Sequence, residues 1–212
     1  MKNEQKRIIK TGRELLNRNL VAGTWGNISS RLKETHEKFA ITPSGMDYTE
    51  IEPEDVAILD LENKKVAGRE RPSSESALHA AIYKHRTDVN AILHTHSPYA
   101  TAVACARKDI PPIVEDMVQI LGGRIETARY ELPGTEELAQ SALETLKEKN
   151  AVLLANHGGV ALGPDLDEAL KAAEILEKSA KTFILSKILG SPQNLSEEDV
   201  DKMKEMYNEY RR

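Results

Sequence analysis

The sequence predicts one layered α/β domain, a mixed sheet covered by helices. Three observations carry that prediction. The chain has 212 residues, the size of one ordinary domain. Its composition, 40% hydrophobic and 30% charged, is that of a globular chain able to bury about 70% of its unfolded surface without a disulfide or metal staple. Segments with strand and helix patterning alternate along it, with no internal repeat and no low-complexity tract.

Taken in order, residues 3–19 place Ile8, Ile9, Leu15 and Leu16 at helical spacing with charges between them, so a helix is expected first. A stretch rich in Gly, Thr and Ser follows, in which Gly23–Asn27 reads as a loop. Strands are expected at KFAIT, ended by Pro43, and at VAILDL, which runs into the turn ENKK. Residues 71–86 read as a helix with Ser73 or Ser74 as N-cap and Glu75 in its first turn. NAILHTH reads as a strand and SPYATAVACA as a helix. GTEELAQSALETLKEK (helix), AVLLA (strand), a long helix over residues 165–188 and a C-terminal helix from about Ser196 complete the pattern. Strand order does not follow from it.

Charge and cysteine usage narrow the function. With 29 basic and 34 acidic residues the net charge is −5, and there is no dense basic block, which argues against nucleic acid as a partner. A phosphate site would have to be local, built from backbone N–H groups and hydroxyls. The single cysteine, Cys105, makes neither an internal disulfide nor a zinc knuckle. The opening MKNEQKRIIK has no apolar signal region, and no stretch reaches the ~20 apolar residues of a membrane span. The expectation is a cytoplasmic protein that does not engage a membrane.

The chemistry-bearing residues fall into four groups. His94 and His96 flank Thr95 at the end of an apolar strand, where i and i+2 share a face about 6.6–6.8 Å apart. His157 follows a second apolar strand, where that strand gives way to a glycine turn. Three histidines with a coordination position left open fit a catalytic zinc site, and the same residues also fit polar caps of strand ends. Pro72-Ser73-Ser74-Glu75 fits either an anion site at a helix start or a plain capping arrangement, with His79 at i+4 placed to pair with Glu75. Gly23–Asn27 and Thr42–Gly45 offer glycines for close backbone approach beside hydroxyl and amide groups. No P-loop and no strand-linked G-x-G-x-x-G is present, so nucleotide binding has no support.

In order along the chain, GTWGNIS (23–29), ITPSGMDY (41–48), RPSSESALH (71–79), HTHSPYATA (94–102) and ANHGGVALG (155–163) resemble the class II aldolase/adducin-head family. The resemblance spans most of the chain. It implies a single domain over residues 1–212, a three-layer α/β/α fold with a central, largely antiparallel sheet, and a homotetramer with active sites between subunits. It further implies that His94, His96 and His157 bind zinc, with Co, Mn or Fe as other ions an imidazole site accepts. Glu75 is implied as the acid/base and as a fourth ligand when substrate is absent. Gly26, Asn27, Ser44, Gly45, Ser73 and Ser74 are implied to hold the phosphate of a ketose phosphate.

The implied reaction is metal-assisted retro-aldol cleavage of a ketose 1-phosphate resembling L-fuculose 1-phosphate, giving dihydroxyacetone phosphate and an aldehyde. Family aldolases place a tyrosine from a neighbouring subunit where Asp116 stands here, so Asp116 is the expected proton donor to the aldehyde oxygen. Tyr207 or Tyr210 is expected to close over the site from the C-terminal helix. The alternatives are an L-ribulose-5-phosphate 4-epimerase-like enzyme, whose branch also uses an aspartate in this region, and a sugar-phosphate dehydratase or decarboxylase. A non-catalytic scaffold like the adducin head is the reading from another class.

Overall fold

A computed structural model describes residues 2–210, apart from the side chains of Asn208 and Tyr210. The elements run α1 (Lys2–Asn17), β1 (Asn27–Arg31), β2 (Lys38–Ile41), β3 (Ala57–Asp60), β4 (Lys65–Ala67), α2 (Ser76–His85), β5 (Ala91–Thr95), α3 (Pro98–Cys105), α4 (Glu115–Leu121), β6 (Thr127–Ala128), α5 (Glu136–Leu146), β7 (Ala151–Leu154), β8 (Gly158–Gly163), α6 (Leu166–Leu189) and α7 (Glu197–Tyr210). One sheet has the order β4-β3-β2-β1-β5-β8-β7-β6. Its neighbouring strands pair antiparallel except β6 with β7. Among the described residues, no helix is long and apolar enough to cross a membrane.

The period of two along each strand divides the apolar residues into two cores. Ala40, Ile58, Leu93, Leu153 and Ala161 pack with residues of α1, α3, α4 and α6. Their chain neighbours Phe39, Ile41, Leu59, Ile92, Val152, Leu154, Val160 and Leu162 pack with α2 and α5. The result is the expected α/β/α sandwich with a largely antiparallel sheet. Three of the described helices start on side-chain caps, with Thr135 Oγ1 accepting from Leu138 N, Asp165 Oδ1 from Glu168 N and Ser196 Oγ from Asp199 N.

Three local expectations are corrected. Residues 27–31 form the central strand β1, although Asn27 reads as the end of a loop. Its inner face is polar, Asn27, Ser29 and Arg31, because it meets polar groups of α2 rather than an apolar layer. The glycines after His157 are strand β8; the turn is only Ala155-Asn156-His157, with Asn156 at φ 57°. Gly158 is required there for close approach, since a Cβ would clash with the carbonyl oxygen of Thr95 on β5. Neither Ser73 nor Ser74 caps α2. Its N-cap is Glu75, and Ser73 Oγ accepts from Glu75 N at 3.3 Å in the turn before it.

Gly158→Ala forces β5 and β8 apart and is expected to destabilise the fold by about 1–3 kcal/mol. A lower urea midpoint at unchanged slope checks this; an unchanged midpoint contradicts the packing described.

Candidate metal centre

Sheet register builds the site. Antiparallel pairing sets Asn27 of β1 opposite His94 of β5, and Thr95 opposite Gly159 of β8. Gly26, at φ 84°, turns the chain into β1 so close to β5 that a Cβ would lie 2.6 Å from the His94 carbonyl oxygen. His96 extends one step beyond β5, and the β7–β8 turn presents His157. The three rings meet edge to face, with centroids 4.6–4.9 Å apart.

Their nitrogens converge. His94 Nε2 lies 2.8 Å from His96 Nε2 and 3.2 Å from His157 Nε2. His94 Nδ1 is 3.1 Å from the Gly159 carbonyl oxygen, an acceptor only, so Nδ1 carries the hydrogen and Nε2 aims its lone pair at the centre. Burial, reinforced by the other two histidines, holds the His94 imidazole well below its ordinary pKa. Burial, with His157 adding to it, also lowers that of His96. Neutral imidazoles are the metal-binding form.

Glu75 completes the group from the start of α2. Its Oε2 is 3.2 Å from His94 Nε2 and its Oε1 3.4 Å from His157 Nε2. Oε1 is buried and has no hydrogen-bonding partner among the described residues, a costly state for a carboxylate that a cation at the centre would relieve. The histidine ligand atoms lie within 4.8 Å of one another, so the donor set fits one ion bound by three imidazoles with a carboxylate beside it.

A cavity of about 470 Å³ opens over this centre. Its lining joins Glu75, His96 and His157 to Gly26, Asn27, Ser44, Gly45, Ser73 and Ser74, so those six expected phosphate-site residues share one wall system with the histidines. A bridge between Pro43 and Pro72 draws two of the loops together, with Ser44 N donating to Arg71 O and Ser73 N to Thr42 O, each at 3.0 Å. A larger groove of about 660 Å³ beside α4 is lined by Lys147, Lys149 and Lys204, among others, but by no histidine or cysteine.

Other expected residues sit elsewhere. Asp116 pairs with Lys178 and does not line the cavity of its own chain. The Tyr207 hydroxyl donates to Glu168 at 3.4 Å, and its ring packs on the core shared by α1, α3, α4 and α6. Tyr210 ends α7, and its side chain lies outside the described residues. His79 does not pair directly with Glu75. Its Nε2 meets Asn27 Oδ1 at 2.5 Å, and Asn27 Nδ2 in turn donates to Glu75 Oε2 at 2.9 Å. Pro133 and Trp25 complete the apolar part of the lining, Trp25 being 65% exposed with its ring 5.6 Å from that of His96. A lone proline in a loop gives no sequence signal of this kind.

The model of the class II aldolase and adducin N-terminal domain family matches residues 6–184, and the chain belongs to that family. It is 36% identical over 99% of its length, and 98% of the relative's, to a 5-deoxy-D-ribulose 1-phosphate aldolase of Bacillus thuringiensis serovar kurstaki. A 5-methylthioribulose-1-phosphate/5-deoxyribulose-1-phosphate aldolase of Rhodospirillum rubrum is 33% identical over 96% of this chain and 90% of its own. Among solved structures, an L-fuculose 1-phosphate aldolase superposes with a TM-score of 0.94 at 37% identity, covering 97% of this chain and 96% of the other.

Acid should weaken the metal-free fold. His79 and His94 are neutral when folded, His79 being lowered by burial to about 3. Their unfolded counterparts take up protons near pH 6.5. Below that value the unfolded chain binds more protons, so stability is level above about pH 6.5 and falls as pH drops toward 3. A lower urea midpoint at pH 5 than at pH 7.5, measured in chelator, is expected; an equal or higher one refutes buried neutral histidines.

Proposed function

We propose that this chain is a zinc-dependent aldolase that reversibly cleaves a ketose 1-phosphate into dihydroxyacetone phosphate and an aldehyde. The observation that carries the reading is the seating of Glu75, between His94 and His157 on the floor of a cavity lined by Ser44, Gly45, Ser73 and Ser74. His94, His96 and His157 would hold the ion, with Glu75 beside it when substrate is absent. A bound divalent ion supplies Lewis-acid polarisation of the ketose carbonyl.

The chain's own groups do the rest. The Ser44, Ser73 and Ser74 hydroxyls and the Gly26 and Gly45 backbone hold the phosphate, which lets a net-acidic protein take an anionic substrate. As the C3–C4 bond breaks, the C4 hydroxyl gives up its proton to a base on the aldehyde side, the place proposed for Asp116 of a neighbouring copy, and becomes the aldehyde, leaving the electron pair on C3. Glu75 protonates that carbon, and removes the same proton in the synthetic direction. Trp25 and Pro133 give the mouth an apolar wall suited to a deoxy aldehyde, so 5-deoxyribulose 1-phosphate stands beside L-fuculose 1-phosphate as first substrates to try. Asp116, with Tyr207 or Tyr210, would serve the aldehyde side of a neighbouring copy's site in a homotetramer, which is consistent with its place outside the cavity of its own chain.

With zinc restored, dihydroxyacetone phosphate release from these two substrates is expected, and chelation should abolish it. Glu75→Gln should keep about one metal per chain, by mass spectrometry of the native protein, and lower kcat about 10²–10⁴-fold. His157→Ala should lose the metal. No release from any ketose 1-phosphate by zinc-loaded protein would overturn the aldolase reading and turn attention to epimerisation of L-ribulose 5-phosphate.

Replacing the phosphate-facing hydroxyls supplies a second check. Ser73→Ala is expected to raise KM about tenfold, the effect of losing one hydrogen bond to a charged group, with kcat less affected. An unchanged KM places the phosphate elsewhere.

A further inference from the structure

The polar contacts beneath Glu75 form a chain whose direction is fixed by chemistry. An ionised carboxylate only accepts, so the Asn27 amide nitrogen must face Glu75 Oε2, at 2.9 Å. Asn27 Oδ1 therefore faces His79 Nε2 at 2.5 Å, and that nitrogen must carry the ring hydrogen. His79 Nδ1 is then a lone pair, and it accepts from Ser29 Oγ at 2.6 Å. Ser29 Oγ, its own hydrogen spent on His79, accepts from the Tyr83 hydroxyl at 2.8 Å, a closer acceptor than the Asn90 carbonyl oxygen 3.5 Å from the same hydroxyl. Ser29 and His79 are fully buried, with Tyr83 nearly so, so no solvent competes for these three; Asn27 is nearly buried too and borders the cavity. Reversing any one link would set two donors or two lone pairs against each other, at a cost of about 1–3 kcal/mol. Burial keeps the imidazole neutral, as the chain requires.

We infer that His79 is a positioning residue for Glu75: it holds the Asn27 amide with its oxygen inward, so that one Asn27 N–H is fixed on the Glu75 carboxylate and the second is left for an anionic oxygen of the substrate. An asparagine free to flip would present its carbonyl oxygen to Glu75 and to an anionic ligand alike, repelling both. The helix spacing serves this arrangement, since Glu75, His79 and Tyr83 recur every four residues and meet Asn27, Ser29 and Arg31, which recur every two along β1. The inference rests on the proposed role of Glu75 as acid/base.

The test pairs two substitutions with one spectroscopic measurement. A glutamine side-chain nitrogen reaches the place of imidazole Nε2, whereas that of asparagine stops at the place of Nδ1. His79→Asn is expected to lower kcat about 10–100-fold, as loss of an orienting partner does, and His79→Gln to recover most of that loss. Both variants should keep the same metal content, and both are expected to melt at a lower temperature, since each leaves one buried partner of His79 unmatched. Equal losses in the two variants, or full turnover in His79→Asn, overturn the inference. Long-range ¹H–¹⁵N spectra of the wild-type protein should show His79 as the neutral Nε2–H tautomer; an Nδ1–H tautomer overturns the inference whether or not the variants fold. Absence of dihydroxyacetone phosphate release from wild-type protein sinks the aldolase reading instead, and the tautomer then decides the inference alone.

Discussion

A central strand with a polar inner face has to be answered by polar groups on the helix that covers it. β1 lies in the middle of the sheet, yet Asn27, Ser29 and Arg31 point into the layer under α2. Burying such groups unpaired is prohibitive, so each has a partner on α2 or the adjoining loops. Asn27 bridges Glu75 and His79, Ser29 bridges His79 and Tyr83, and Arg31 donates to the Tyr83 carbonyl at 2.7 Å while its guanidinium lies 4.7 Å from that ring's centroid. This seam fixes α2 along and around its axis. Glu75, its N-cap, is thereby held over His94.

The site inherits its precision from regular structure. Two imidazoles come from β5 and its extension, the third from a three-residue turn, and the carboxylate from a helix start. The wall that carries Ser44, Gly45, Ser73 and Ser74 is built from loops, and two of those are joined by the Pro43–Pro72 bridge. The groups proposed to hold an ion sit on or beside rigid elements, while those proposed to surround the phosphate are hydroxyls and backbone near glycines. The close approach of Gly26 and Gly158 to the carbonyls of His94 and Thr95 shows how tightly the three central strands are packed around the histidines.

Much of this was legible in the chain. The helices with clear periodicity and the apolar strands AILHT and AVLL stand where their patterns put them. The pair His94 and His96 was readable because a strand places i and i+2 on one face. β1 and β8 were not readable: in one, Asn27 and Ser29 have partners 48 to 54 positions away, and the other is glycine-rich because neighbouring backbone at Gly158 and Gly163, and the Leu176 side chain at Gly159, leave no room for a Cβ. The same distance in sequence hid the role of His79. Spacing from Glu75 suggested a direct i,i+4 pair, but the fold inserts Asn27 between them. Asp116 was placed by its position in the chain alone, and nothing local told that it would lie against Lys178.

Everything rests on His94, His96, His157 and Glu75 forming one metal centre. X-ray absorption at the zinc edge, on protein reconstituted with one equivalent of zinc, tests it most directly. Three imidazole nitrogens at about 2.0–2.1 Å, with oxygen ligation completing the shell, is the result this structure predicts. An ion with fewer than three imidazoles, or a spectrum unchanged by His94→Ala, would contradict it.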